Sequence, residues 1–109
     1  MRRIALIFML CATPVLGQNW QTLDNAGIQA VLTGQTVDYE NAWQEFLPSG
    51  RTLYNAGEDS WGYWEVRGEQ YCSQWPPADG WACYDVERDG QKVRFIGESG
   101  HATFGTVRN

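Results

Sequence analysis

The 109-residue chain contains one histidine, His101, one lysine, Lys92, and only three cysteines. A zinc centre takes four His, Cys or carboxylate ligands in its structural form, and no such set is spaced for one here. The fingerprint G-x-G-x-x-G is missing, so the glycine turn that brings a dinucleotide pyrophosphate onto a helix is missing too. Gly97-Glu98-Ser99-Gly100 is not the G-x-S-x-G turn of a nucleophilic serine. Ten residues separate Cys72 from Cys83, unlike the close C-x-x-C pair of redox enzymes. The one long apolar run, Ile4 to Ala12, falls short of the roughly 20 residues that a spanning helix needs.

That run has another use. Arg2 and Arg3 precede it, Thr13-Pro14 breaks it, and Val15-Leu16-Gly17 follows. This is the layout of a secretory signal peptide over residues 1–17, cleaved before Gln18. Cys11 follows bulky Met9 and Leu10 and makes a poor lipoprotein site. Residues 18–109 then form one domain that is periplasmic or secreted. Six basic residues remain against thirteen acidic ones, a formal net charge of −7. Such a surface repels nucleic-acid phosphates and anionic membranes alike. Two cysteines remain, and in an oxidising compartment Cys72 and Cys83 read as one disulfide.

The mature chain opens with a loose lead-in to Thr22. One helix follows, capped by Thr22 or Asp24, with Leu23, Ile28, Val31 and Leu32 on one stripe and Gly34 at its end. About nine residues cannot hold a helix in isolation, so it must dock on a sheet. Beyond Gln35 the punctuation is that of β-hairpins. Strands are expected near 35–39, 42–47, 52–55, 61–66, 70–75, 81–88, 91–96 and 102–107. The fold class is therefore mainly β: an antiparallel meander or small barrel of about eight short strands with one short N-terminal helix. Pattern alone leaves closure open.

Turn chemistry gives a register. An Asp89-Gly90 loop pairs Glu87 with Lys92, Asp85 with Arg94, Val86 with Val93 and Tyr84 with Phe95. Cys72 opposite Cys83 sets Tyr71 opposite Tyr84, and an Arg67-Gly68 turn sets Trp64 opposite Tyr71. The Pro48–Arg51 hairpin pairs Phe46 with Leu53. An aromatic row, Trp64, Tyr71, Tyr84 and Phe95, is the expected core face, with Val66, Val86 and Val93 beside it. The bridge falls on the other face, near Tyr63, Trp81 and Ile96.

The runs Trp43-Gln44-Glu45-Phe46, Gly50-Arg51-Thr52-Leu53-Tyr54, Trp61-Gly62-Tyr63-Trp64-Glu65-Val66, Tyr71-Cys72-Ser73-Gln74-Trp75-Pro76-Pro77 and Trp81-Ala82-Cys83-Tyr84 resemble a family of small exported bacterial proteins of unknown function. The likeness covers most of the mature chain. It implies export and this architecture, and no mechanism. Some members of that family carry the name dihydrodipicolinate reductase. That activity needs a Rossmann unit and a substrate domain, and about ninety mature residues hold neither.

For chemistry the candidates are few. His101 would serve as a base only beside a positioned partner, and the sequence shows none. Asp85 to Gly90 begins like a calcium loop, but Ile96 stands where the twelfth-position Glu belongs. Glu58, Asp59, Glu65 and Glu69 would form a glycosidase pair only across a cleft. No catalytic residue, cofactor or metal is therefore assigned. The six tryptophans are the informative feature. Trp75 and Trp81 flank the loop Pro76-Pro77-Ala78-Asp79-Gly80, with the bridge just behind it, and stiff loops bearing aromatics bind partners. Trp61, Trp75 and Trp81 are the expected ligand-binding residues of a monomeric, non-catalytic binding protein. Its partner would be a small molecule, a glycan or an envelope protein. The alternatives are an inhibitor that presents the same loop to an envelope hydrolase, and a small enzyme using His101.

Overall fold

Alternation of inward and outward side chains along nine strands builds the protein. The computed structural model describes residues 19–109, so the expected signal peptide over 1–17 lies outside the described residues. The elements are β1 (Gln21–Thr22), α1 (Asn25–Leu32), β2 (Thr36–Asp38), β3 (Trp43–Phe46), β4 (Arg51–Asn55), β5 (Asp59–Arg67), β6 (Gln70–Gln74), β7 (Trp81–Asp89), β8 (Lys92–Ile96) and β9 (Ala102–Val107). From β2 to β9 each strand pairs antiparallel with the next, and β9 pairs back onto β2 through Val37↔Val107 and Asp38↔Thr106. The sheet is thus a closed eight-stranded up-and-down barrel, which leaves no long free edge. The lead-in is not loose: β1 pairs Gln21↔Arg88 and Thr22↔Glu87, taking the edge of β7 beyond the stretch that β6 covers.

The helix closes one end. Asp24 caps it, its Oδ1 accepting from Gly27 N–H at 2.8 Å. Ile28, Val31 and Leu32 are its buried residues. Asn25 ties it to the β5–β6 turn: its Nδ2 donates to Gly68 O at 2.7 Å and its N–H to Glu69 Oε1 at 3.0 Å. The core above it is the expected face. Trp64, Tyr71, Phe95, Val86 and Val93 are buried there with Phe46 and Val37, and Tyr84 and Val66 pack against them. Phe46 meets Trp64 and Tyr71 edge-on, at 5.5 and 5.7 Å between ring centres.

Cys72 and Cys83 pair across β6 and β7 and are bonded, and Tyr71 faces Tyr84. Three other expected registers are corrected. In the β7–β8 hairpin the partners are Asp89↔Lys92, Glu87↔Arg94, Val86↔Phe95 and Asp85↔Ile96. In the β5–β6 hairpin Val66 faces Tyr71, and Trp64 faces Ser73. The cause is common to both. Gly90 (φ 62°) and Gly68 (φ 58°) take the first loop position, where two-residue hairpin turns need positive φ, and not the second. Partners change by two residues, so every side chain keeps its face. The β3–β4 hairpin differs by one residue. Leu47 N–H bonds Arg51 O, Phe46 faces Thr52, and Leu53 turns outward opposite Glu45.

Candidate functional site

The other end of the barrel is rimmed by the loops after β2, β4, β6 and β8. Side chains pointing inward from seven strands, β3 to β9, and from the loops after β2 and β6 bound a cavity of about 380 Å³ there. Small-molecule sites start at about this size. Aromatic walls come from Tyr39, Tyr54, Tyr71, Trp75, Tyr84 and Phe95, and polar atoms from Gln44, Ser60, Ser73 and Thr103. No charged residue lines it.

The walls are held ring against ring. Tyr71 and Tyr84 stack at 5.8 Å, Phe95 lies 5.3 Å from Tyr71, and Trp75 meets Tyr54 edge-on at 6.1 Å. Trp75 lies flat over Gly62 of β5, the position with no Cβ to push it away. Gly105 of β9 does the same for Val37 and Tyr39. Each aromatic pair adds about 0.5–1.5 kcal/mol beyond its buried area.

A polar network runs through the floor. Tyr39 Oη donates to Gln44 Oε1 at 2.8 Å. Gln44 Nε2 donates to Thr52 Oγ1 at 3.0 Å and to Tyr71 Oη at 3.1 Å. Thr52 Oγ1 donates in turn to Glu45 O at 2.7 Å. That last bond spends the only hydroxyl hydrogen of Thr52, so the Gln44 amide must turn its N–H₂ toward Thr52. Trp75 Nε1 donates to Ser73 Oγ at 3.2 Å. Burial pushes the Tyr39 and Tyr71 phenols far above their ordinary range; at Tyr71, hydrogen bonds from Ser73 and Gln44 oppose the rise.

The three tryptophans expected to bind a ligand are not brought together. Trp75 enters the cavity wall. Trp61 stands on the outer surface, 42 % exposed, with the Arg51 guanidinium 4.3 Å from its ring centre. Trp81 is also on the outside, under the Arg67 guanidinium at 4.3 Å. The Cys72–Cys83 bridge joins β6 to β7 on this same outer face, and Cys72 is fully buried. Trp20 carries Arg94 at 4.4 Å in the same manner. Cation–π stacking on the barrel wall thus occupies several of the tryptophans. The tip of the loop between Trp75 and Trp81 is left with Pro76 to Gly80, all exposed.

His101 is exposed in the loop between β8 and β9, where its backbone N–H donates to Ser99 Oγ. It stands on the rim, in the wall of two neighbouring depressions, and does not line the cavity. Among the described residues no three His, Cys, Asp or Glu side chains gather as a metal site.

The cavity residues Gln44, Tyr39, Tyr54 and Tyr71 were missed as a site by sequence reasoning. Their only signal was period-two alternation on the core face, which looks the same for packing and for lining a cavity. A scan against protein-family models and searches of curated proteins and of solved structures find no match to this chain.

Proposed function

We propose that this is an exported, non-catalytic binding protein that holds one small uncharged molecule with a flat ring in the open end of its barrel. The observation that carries this reading is the cavity of about 380 Å³, walled by aromatic rings and free of charged side chains. Eight-stranded barrels are just wide enough either to fill with side chains or to take one small ligand. Here the helix half is filled and the other half is open. An ion would lose its hydration there with no counter-charge to replace it. The Cys72–Cys83 disulfide supports an oxidising, extracytoplasmic location. Among the described residues no helix is long and apolar enough to cross a membrane.

Tryptophan fluorescence tests the proposal, because Trp75 forms part of the wall. Titration with a panel of uncharged bicyclic aromatics should quench or shift the emission with saturation. A cavity-filling variant, Ser60→Trp, should abolish the response to added ligand. Equal response in wild type and Ser60→Trp would place binding elsewhere and end the reading.

A further inference from the structure

Two hydroxyls in the cavity wall are caught between N–H donors. Gln44 Nε2 donates to Tyr71 Oη at one end, and Trp75 Nε1 donates to Ser73 Oγ at the other. Neither nitrogen can accept a hydrogen bond: the indole N–H is donor only, and the Gln44 amide is turned by Thr52 so that nitrogen faces Tyr71. Tyr71 and Ser73 together own two hydroxyl hydrogens. If they bond to each other, that uses one. At least one hydrogen is then left over, on side chains only 5 % and 3 % exposed that line the cavity. Tyr39 Oη bonds Gln44 Oε1, and among the described residues neither Tyr71 Oη nor Ser73 Oγ donates to it. A buried donor without an acceptor is costly, and a bound group that supplies the acceptor recovers that cost.

We infer that the Tyr71–Ser73 hydroxyl pair is a donor subsite, and that the ligand is an uncharged planar aromatic compound bearing a carbonyl or ring-nitrogen acceptor that points at it. The inference rests on the cavity being the binding site. The acceptor must be neutral, since no cationic side chain lines the cavity to hold a carboxylate. Its ring lies against the stacked Tyr71–Tyr84 wall, with the acceptor edge toward β6.

Three matched compounds test this on the whole protein: naphthalene, 2-acetylnaphthalene and 2-naphthoate. Wild type should bind 2-acetylnaphthalene about five- to tenfold more tightly than naphthalene, the worth of one neutral hydrogen bond. It should bind 2-naphthoate more weakly than either. In Tyr71→Phe with Ser73→Ala the preference for the ketone over naphthalene should vanish. A second measurement needs no variant: the infrared carbonyl band of bound 2-acetylnaphthalene should move to lower wavenumber than in hexane. Binding of naphthalene with no ketone preference and no band shift would overturn the donor subsite and leave the cavity reading standing. Tightest binding of 2-naphthoate would also overturn it. Failure of all three to bind would sink both readings together.

Discussion

Gly62 and Trp75 share one volume: a Cβ built on Gly62 would lie 2.6 Å from Trp75 Cε3 and 2.6 Å from Gln74 O. The ring reaches the cavity wall only because β5 has no side chain at that position. Gly62→Ala should therefore destabilise the fold by about 1–3 kcal/mol, the usual penalty of overpacking. It should also displace the indole and move the tryptophan emission to longer wavelength. Chemical denaturation and an emission spectrum check both. An unchanged spectrum would show that the ring does not rest on Gly62.

The disulfide ties two neighbouring strands that already pair in register. Removing it in a Cys72→Ser, Cys83→Ser double variant should cost about 3 kcal/mol by the chain-entropy model for so short a loop. The denaturant midpoint should fall. Arg67→Ala, which uncovers Trp81 on the face that carries the bridge, should speed reduction by dithiothreitol with little loss of stability.

Barrel closure has a pH signature. The Arg108 side chain bonds Asp38 across the β9–β2 seam, and this holds the Asp38 carboxyl below its ordinary value of 3.8. A depressed folded-state value means the contribution is fully present above the unfolded value and is lost as pH falls through the folded one. The stability difference between wild type and Asp38→Asn should accordingly shrink on acidification below about pH 4. The pair is exposed, so the difference at neutral pH should itself be small.

At alkaline pH the sign reverses. Tyr39 and Tyr71 have folded-state values raised above 10 by burial. Their contribution is full below the unfolded value and declines as pH climbs past it, because only the unfolded chain releases these protons. Ultraviolet titration should find Tyr39 and Tyr71 protonated until the barrel unfolds. Titration of Tyr39 or Tyr71 near the ordinary phenol value would contradict the burial of this network.

The tryptophans separate by role. Trp61→Ala and Trp81→Ala should leave ligand affinity within about twofold, since both rings stand outside the barrel. Trp75→Ala should weaken it by tenfold or more, as expected when a wall ring is lost. Isothermal titration with 2-acetylnaphthalene separates the cases. Equal loss in all three would return the site to the rim loop.

Much of the fold was legible. The helix stripe of Ile28, Val31 and Leu32, the hairpin order, the bridge and the faces of Trp64, Tyr71, Tyr84 and Phe95 all follow from local spacing. Partner assignments in two hairpins were two residues off, because glycine can occupy either loop position and sequence does not say which. Phe46 pairs with Thr52 and not with Leu53, because the turn after Phe46 fits the pattern equally well one residue away. For the site, aromatic residues between turns pointed to binding, but Trp61, Trp75 and Trp81 look alike along the chain.

The sequence alone settled which residues alternate, where the chain turns and that two cysteines meet, since each depends on neighbours a few positions apart. The tertiary structure decided three further things. Val37 and Val107 seal the barrel, Trp75 turns in while Trp61 and Trp81 turn out, and Gln44 aims its amide at Tyr71. Those outcomes depend on contacts between distant strands, where the lack of a Cβ at Gly62 and one spent hydroxyl on Thr52 select the arrangement.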